Sequence, residues 1–496
     1  MHCLSKNIVL KILTPVLGRF QRQAIRLCGC NGVDFKGVNL GPKPSKTGFN
    51  DYDVGRQECE SLKVPEKFNF ARDVVDCWAA KESKGERCNS LPAYWYVSSN
   101  GNEIKWSFNE LSALSKRAAN VLEECGIIKG DILLVTLPKV PEWWLLYLAS
   151  IRIGAIFCTG TSMLTAEDIK YRIETSKSKC VVCNEETFSA VSQGVKMCSD
   201  EITKIFISNK LEHRPSWINF NDLFYKTSSS QHECVDSDSN EPMTYFFTSG
   251  TTGKPKIVEH THASYGFGHQ ITAKYWLDLT KDDTILSLSD PGWAKAAWSN
   301  FFAPWYNGSC IFIDGVGKFC PERILSVLEK YPINVFCASP TAYRMMVQKD
   351  IEKYKFSHLR HCLSAGEPLN PAIFKLWYNK TGLMLREGFG QSETLISYHS
   401  LRQDGRHSHV TFIATACLGA KELGRYGFGR AVIQCGMFQC LPLKLGSMGK
   451  PAPGVNIQVI DNKGNEVERG TEGEVGIRIK PNRPIGLFTH YAVSYS

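Results

Sequence analysis

The chain has 496 residues, of which 43% are hydrophobic and 22% are charged. This length is enough for two or three domains, and the composition excludes a disordered or fibrous protein. The net charge is +9, but residues 1–46 hold eight Lys and Arg against one acid, so the remaining +2 is too weak for a nucleic-acid-binding surface.

The N-terminal segment is basic and amphipathic, with Lys and Arg interleaved among apolar residues and no acid before Asp34. This pattern is typical of a mitochondrial transit peptide, so we predict that residues 1–46 are leader and linker and that the protein is mitochondrial, in the matrix. Two alternatives are a disordered basic tail and a secretory signal, although Lys11 and Pro15 interrupt the apolar core that a secretory signal needs.

The folded part is predicted to start after a linker that ends near Pro65. Apolar residues from Phe68 to Trp78 follow helical spacing. Aromatic runs on both sides of Asn100-Gly101 then predict a hairpin. Ser107 with Glu110 forms a capping box that begins a helix, and Gly126 ends that helix.

Strand-like runs next alternate with helical patterns, which predicts an α/β fold of layered sheets with helices on both faces. The runs are Ile132 to Leu137, Cys180 to Cys183, Lys204 to Ile207, Thr284 to Leu288, Ser309 to Ile313, Asn334 to Cys337 and His361 to Ser364. The apolar stretch from Ile132 to Phe157 contains Lys139, Glu142 and Arg152, so it predicts a buried strand and helix, not a membrane span.

The 19 cysteines are scattered, which fits a reducing compartment. Cys180 and Cys183 form a CxxC, but no second Cys or His pair follows at zinc-finger spacing, so we interpret both as core residues. His260 and His262 are two residues apart, which is a poor spacing for a metal pair on a helix, and we predict that they lie where a helix begins.

The strongest chemical signal is a nine-residue string that follows an apolar strand and is rich in Gly, hydroxyl and Lys residues. It consists of Thr248, Ser249, Gly250, Thr251, Thr252, Gly253, Lys254, Pro255 and Lys256. Such residues surround phosphate with backbone N–H groups, hydroxyl donors and positive charge. The glycine spacing differs from that of GxxxxGK[ST], which disfavours a Walker-type ATPase or kinase. An ordinary surface loop is the alternative that composition alone would favour.

Two further strings follow in order: Ser364 to Pro368, which includes Gly366, Glu367 and Pro368, and Arg386-Glu387-Gly388-Phe389-Gly390-Gln391-Ser392-Glu393. With the first string, they resemble the phosphate loop, the adenine-contacting turn and the nucleotide and metal motif of the adenylate-forming enzymes. That family usually has Tyr and Thr where this chain has Phe389 and Ser392.

Other stretches resemble the medium-chain acyl-CoA synthetase branch of that family: Pro141 to Trp144, Asp290 to Lys295, Pro340 to Arg344 and Pro484 to Phe488. The resemblance implies ATP and Mg²⁺ as ligands, and a fatty acid and CoA as substrates. It also implies catalytic roles for Thr251, Lys256 and Glu393, with Glu393 binding magnesium.

Trp293 is the candidate for the acyl site, because a large apolar ring suits a fatty chain. The alternative is a core tryptophan. Trp143 and Trp144 are predicted to pack a helix against the sheet. Luminescence of the firefly type and amino-acid activation are less favoured within the family. An amino-acid enzyme would need an acid to meet the ammonium group, and we can assign none.

The predicted organisation is an AMP-binding α/β domain at residues 66–445, made of two layered subdomains, and a truncated β subdomain at 446–496. Residues 395–445 are an atypical insertion beside the metal motif. The chain ends before the family's ribose-binding motif and small C-terminal domain, so we expect that domain to be absent. An acyl-CoA synthetase is therefore one hypothesis, and a truncated, non-catalytic form that binds nucleotide or acyl ligand is the other.

Overall fold

The computed structural model describes residues 40–88, 90–208, 210, 214–228, 230–248, 254–392, 410–413, 435–461, 464–471, 473–479 and 483–492. The predictions made for residues 1–39, for Ser249 to Gly253, for Glu393 and for most of the insertion at 395–445 lie outside these residues.

The strands are named here in chain order: β1 (Tyr94–Val97), β2 (Glu103–Trp106), β3 (Ile132–Val135), β4 (Ile156–Thr159), β5 (Cys180–Asn184), β6 (Thr203–Ile207), β7 (Ile218–Asn219), β8 (Pro242–Thr248), β9 (Lys256–Thr261), β10 (Thr284–Ser287), β11 (Cys310–Asp314), β12 (Val335–Ala338), β13 (His361–Ala365), β14 (Leu385–Phe389), β15 (Val410–Ile413), β16 (Cys435–Gly436), β17 (Lys450–Pro451), β18 (Ile457–Ile460) and β19 (Glu474–Arg478).

The helices of eight residues or more are Tyr52–Ser61, Phe108–Glu124, Pro141–Ile153, Ala166–Ser176, Phe188–Lys196, Pro321–Lys330 and Pro371–Thr381. The shorter α-helices and the 3₁₀ turn are Cys77–Ser83, Phe220–Lys226, His269–Ile271, Ala294–Ala297, Ala303–Tyr306, Pro340–Met346 and Ile351–Lys353. The described residues also contain four π-helical segments: Ala71–Asp76, His262–Phe267, Thr272–Trp276 and Trp298–Phe302.

The strands form three sheets. One sheet has the order β7-β6-β5-β3-β4-β8-β9 and is parallel apart from the β8–β9 pair. The larger sheet has the order β17-β16-β14-β13-β12-β10-β11-β1-β2, with parallel pairing from β14 to β1 and antiparallel pairing at both ends. The third sheet, β15-β19-β18, is antiparallel. The predicted α/β fold is confirmed, and all seven predicted strands are present with ends shifted by one or two residues.

Local sequence signals give the structure that they predict. The strands β1 and β2 pair as a hairpin, and Gly101 adopts a φ of 85° in its turn, a left-handed conformation that glycine favours. Ser107 accepts a hydrogen bond from the Glu110 N–H while the Glu110 side chain accepts one from the Ser107 N–H, so the capping box is complete. Both signals act over a few residues and so do not depend on the rest of the fold.

The apolar stretch from Ile132 to Phe157 contains the strand β3, a helix and the start of the strand β4. All helix residues from Trp143 to Ile153 are buried, because the helix packs between the sheets. Trp143 contacts Phe157 of β4, with ring centroids 5.7 Å apart, so the predicted helix-to-sheet packing is confirmed. Within the described part of the chain, no helix is both long and apolar enough to span a membrane.

The interpretation of the residues before Pro65 as a linker is wrong, because they contain the helix Tyr52–Ser61 and the residues that bind Asp278. The Asp278 carboxylate is buried and accepts hydrogen bonds from the Ser45 hydroxyl at 2.6 Å and the Thr47 N–H at 3.0 Å. Arg360 forms an ion pair with the same carboxylate at 2.8 Å. Burial raises the pKa of Asp278, but the neighbouring His361 and the hydrogen bonds from residues 45–47 outweigh this effect and lower it. Residues 45–47 are therefore part of the folded domain.

Strands from the predicted insertion join both neighbouring sheets. The strand β15 pairs with β19 of the small sheet, and β16 lies between β14 and β17 of the large sheet. The predicted β segments after Gly449 are confirmed as β18 and β19, which pair with each other. The insertion thus supplies strands to the sheets on either side of the predicted boundary at residue 445.

Candidate nucleotide and acyl site

The phosphate-loop string lies at the tip of the β8–β9 hairpin. Thr248 ends β8 and pairs in register with Lys256, the first residue of β9, and residues 249–253 between them lie outside the described residues. The strand β8 is buried along its length after Pro242 because β4 lies on one side of it and β9 on the other. Two buried, paired strands therefore hold the two ends of this loop.

The two lysines of the string lie beside aromatic rings. The Lys254 ammonium is 5.3 Å from the Tyr171 ring centroid, and the Lys256 ammonium is 5.2 Å from that of Tyr491. The Tyr171 hydroxyl also donates a hydrogen bond of 2.8 Å to the Pro255 carbonyl. Both are cation–π contacts, in which the ring quadrupole attracts the ammonium. This arrangement orients two positive charges at the base of the loop.

The second string follows β13. Gly366 has a φ of 130°, a backbone conformation that disfavours any side chain, and Glu367 and Pro368 are exposed beyond it. The Thr341 hydroxyl donates a hydrogen bond of 2.8 Å to the Glu367 carboxylate. The strand end and the glycine together direct this turn towards solvent.

Lys295 is a site residue that the sequence analysis did not single out. Its side chain is 9% exposed, and its ammonium donates to the Ala365 carbonyl at 3.3 Å, at the end of β13. A buried ammonium is costly unless it is paired or hydrogen-bonded, so such residues concentrate at functional sites. The available signal was a single lysine in the otherwise apolar run from Trp293 to Trp298.

The third string forms β14 and the turn after it. The strand β14 is parallel to β13, with Ser364 opposite Glu387 and Ala365 opposite Gly388, so the second and third strings are neighbours in the large sheet. The Glu387 carboxylate accepts a hydrogen bond of 3.1 Å from the Leu369 N–H. That bond ties the turn after β13 to the start of the third string.

Gly388 lies against the indole of Trp276. A methyl group at Gly388 would lie 2.5 Å from Trp276 Cε2, and one at Gly436 would lie 2.7 Å from Cδ1 of the same ring. Trp276 itself is 2% exposed. Glycine is therefore required at these positions so that β14 and β16 can pack on the indole.

The end of the third string approaches the phosphate-loop hairpin. His260, on β9, donates a hydrogen bond from Nε2 to the Ser392 carbonyl at 2.7 Å, although it is 132 residues away in the sequence. His260 thus lies in a strand, whereas His262 begins a helical segment as predicted. Phe389 packs against the apolar cluster that contains Val258 of β9. These two contacts bring the third string against β9, the strand whose first residue, Lys256, ends the first string.

Three buried polar atoms at these strings have no hydrogen-bond partner among the described residues: the Ser364 hydroxyl, one terminal guanidinium nitrogen of Arg386 and the Gln391 side-chain oxygen. Buried polar groups in folded proteins are nearly always hydrogen-bonded, so such atoms indicate where a ligand or water binds. Burial also lowers the pKa of the neighbouring Arg386 to about 10, so Arg386 stays charged at pH 7. Beneath the two turns, the site therefore contains buried polar groups and the positive charge of Arg386.

Trp293 is half-buried and precedes the helix Ala294–Ala297. The backbone before it is tightly packed, because the Thr159 hydroxyl donates to the Pro291 carbonyl at 2.7 Å. Pro291 and Ala296 line a small cavity of about 10 Å³ on which Trp293 does not border. The role of Trp293 in acyl binding stays a prediction.

Comparison with known proteins adds to this geometry. The family described as AMP-binding enzyme matches residues 82–482. Human mitochondrial acyl-coenzyme A synthetase ACSM3 is 41% identical over 483 residues, which is 96% of this chain and 75% of that protein. Human mitochondrial acyl-coenzyme A synthetase ACSM4 is 43% identical over 429 residues, which is 86% and 67% of the two chains.

Solved structures show the same fold. The acyl-CoA synthetase of Brucella canis superposes with a TM-score of 0.73 at 23% identity, covering 90% of this chain and 74% of that one. ATP-bound MatB from Rhodopseudomonas palustris gives a TM-score of 0.64 at 20% identity, covering 84% and 72%.

Proposed function

This chain belongs to the family of AMP-binding enzymes, and on that premise we propose that it is a mitochondrial acyl-CoA synthetase that activates a medium-chain fatty acid. ATP and CoA are its co-substrates. The carboxylate of the acid attacks the α-phosphate of ATP to give an acyl-adenylate and pyrophosphate. The CoA thiol then attacks the acyl carbon and releases AMP.

The observation that supports this proposal most is the meeting of the three strings. The first string lies more than 100 residues before the other two and in a different sheet, yet the bond from His260 to Ser392 brings the third string against β9, and the β13–β14 register places the second string beside the third. Catalysis of this kind depends on positioning the reactants and neutralising the phosphates. A phosphate-binding hairpin that lies close to two polar turns can position ATP and neutralise its phosphates.

We assign phosphate binding to the nine residues from Thr248 to Lys256, with Thr251 and Lys256 stabilising the transferred charge. The adenine and ribose side is assigned to Gly366, Glu367 and Pro368, and to the six residues from Glu387 to Ser392. The Gln391 side-chain oxygen supports this assignment, since it is a buried acceptor that no other described residue binds.

Magnesium is proposed as the metal of the reaction. The ligand would be the Glu393 carboxylate, and the adjacent Ser392 hydroxyl supplies a second hard oxygen, the donor type that Mg²⁺ prefers. Bound there, the ion would neutralise charge on the phosphates. Ser392 is fully buried, so its orientation is set by its surroundings.

Trp293 is proposed to line the acyl site. The two large sheets are proposed to form the AMP-binding domain, and the small sheet β15-β19-β18 the β subdomain. We propose no nucleic-acid partner, because the charge outside the N-terminal segment is nearly balanced.

The test uses the purified chain from residue 40 onward, which keeps the segment bound to Asp278. It is incubated with octanoate, ATP and Mg²⁺, and pyrophosphate release is measured before and after the addition of CoA. We expect pyrophosphate and then octanoyl-CoA.

Lys256→Ala should lower the rate about a hundredfold or more, since it removes a donor to the phosphates. The matched control is Lys353→Ala, which changes a lysine whose side chain is 74% exposed and should have no effect. ATP binding without pyrophosphate release would identify a nucleotide-binding protein instead, and no ATP binding would refute the proposal.

A further inference from the structure

His260 connects two parts of the site that are remote in the sequence. It lies four residues after Lys256 on β9, and its ring is fully buried. Its Nε2 donates to the Ser392 carbonyl at 2.7 Å, and its Nδ1 lies 3.0 Å from the Ser264 hydroxyl. Ser392 directly precedes Glu393 in the sequence. One imidazole therefore joins the phosphate-loop hairpin to the end of the nucleotide and metal motif.

The neighbouring bonds fix the tautomer of this ring. The Ser264 oxygen accepts a hydrogen bond from the Thr261 N–H at 2.9 Å, so its own hydrogen is free to be donated to Nδ1 of His260. A carbonyl can only accept, so the proton of the neutral ring lies on Nε2. Burial lowers the pKa of His260 to about 4, which keeps the ring neutral at pH 7.

Aromatic neighbours hold the ring in place. The Tyr265 ring is 4.8 Å away in a T-shaped arrangement, and the Phe246 ring is 6.1 Å away. Neither contact depends on which nitrogen carries the proton. The packing therefore orients the imidazole, while the hydrogen bond to Ser392 is a separate and directional interaction that packing alone does not require.

We propose that His260 is a positioning residue that holds the Ser392 turn against the phosphate-loop hairpin, so that both bind the same ATP molecule. This inference rests on the proposed function. The hairpin belongs to one large sheet and the turn follows a strand of the other, and no pairing between the described strands joins these two sheets. The bond from His260 thus sets the distance between the groups assigned to the phosphates and those assigned to the nucleoside and metal.

The competing interpretation is a histidine that only fills the core. Substitutions can separate the two, because Gln places an amide nitrogen where Nε2 lies and can still donate to Ser392, whereas Leu cannot. Both substitutions lose the aromatic contacts. A difference between His260→Gln and His260→Leu therefore reports on the hydrogen bond and not on the packing.

The experiment measures the Kd for ATP·Mg²⁺ by calorimetry and the KM for ATP and for octanoate, using the chain from residue 40 onward. His260→Leu should raise the Kd and KM for ATP about tenfold, the size expected when a buried carbonyl loses its donor, and should change the KM for octanoate much less. His260→Gln should stay within about threefold of the wild type.

The control is His262→Leu, the same substitution at a buried histidine two residues away whose Nδ1 has no partner among the described residues. It should lower the melting temperature and leave the Kd for ATP unchanged. Equal Kd values for His260→Leu and His260→Gln, or a value for His260→Leu equal to that of the wild type, would overturn the inference.

Hydrogen exchange of residues 385–392 without nucleotide separates this inference from the proposed function. Exchange should be faster in His260→Leu than in the wild type and in His262→Leu, and equal exchange would overturn the positioning role. A wild-type protein that binds no ATP would refute the proposed function, whatever the exchange result.

Discussion

Gly388→Ala tests whether the contact with Trp276 sets the position of β14. The new methyl group would lie 2.5 Å from Cε2 and 3.0 Å from Nε1 of the indole, whereas ordinary contacts exceed 3.4 Å. The strand must therefore shift by roughly 1 Å, because Trp276 also packs on Gly436 and on Trp298, whose ring centroid is 5.9 Å away. Overpacking of this kind costs about 1–3 kcal/mol of stability.

The shift should also reduce activity, because Glu387 and Phe389 flank the substituted residue. A displacement of about 1 Å in a positioned group can cost about a hundredfold in rate, so kcat/KM for ATP should fall by about 10- to 100-fold. Urea unfolding and the pyrophosphate assay measure the two effects.

The double variant Gly388→Ala with Trp276→Leu should recover part of both losses, since the smaller side chain makes room for the methyl group. Gly317→Ala is the matched control, because a methyl group there meets no atom within 4 Å. A fully additive double variant, or a Gly388→Ala protein with wild-type stability and kcat/KM, would refute the packing argument.

Two further predictions concern stability. Burial lowers the pKa of His260 and His262 from 6.5 to about 4, so the unfolded chain binds more protons between these values. The free energy of unfolding should therefore fall as the pH drops from 6.5 to 4, by about 1.4 kcal/mol per pH unit for each histidine. Urea titrations at pH 7, 6 and 5 check this, and an unchanged slope in His262→Leu would contradict it. A chain that starts at residue 51 should be about 3 kcal/mol less stable than one that starts at residue 40, because Asp278 loses its partners among residues 45–47. Equal melting temperatures of the two chains would contradict this.

Much of the fold could be predicted from the sequence because its signals are local. The capping box at Ser107 and the hairpin turn at Gly101 each depend on a few neighbouring residues, and both are confirmed. The strand runs were recognisable because strands buried on both faces are continuously apolar. The α/β class followed from their alternation with helical patterns.

The pairing between distant segments could not be predicted in this way. Nothing in the residues around Ser392 indicates that its carbonyl meets His260, since the bond joins a strand of one sheet to a turn of another. The strand β15 was likewise missed inside a stretch that resembled an insertion, because its partner β19 lies more than 60 residues later. Lys295 was passed over because a single lysine in an apolar run indicates burial but not a partner.

The site was predicted as three strings of residues, and their family resemblance supplied their roles. The structure adds the β13–β14 register, the indole beneath Gly388 and the histidine that joins the hairpin to the third string. These features hold the three strings in their positions. They arise only when both large sheets have formed.

The attachment of the N-terminal segment has a consequence for the order of folding. The bond from Ser45 to Asp278 spans 233 residues, and the one from the Tyr52 hydroxyl to the Pro451 carbonyl spans 399. Closing a flexible loop of such length costs on the order of 5 kcal/mol, a cost that falls once the intervening sheets have formed. If a chain enters an organelle N-terminus first, residues 45–52 arrive before the residues that they bind. Their contacts are therefore among the last to form. The bond from Tyr52 cannot form until residue 451 has arrived, so we expect the segment to stay accessible to protease until the large sheet is complete.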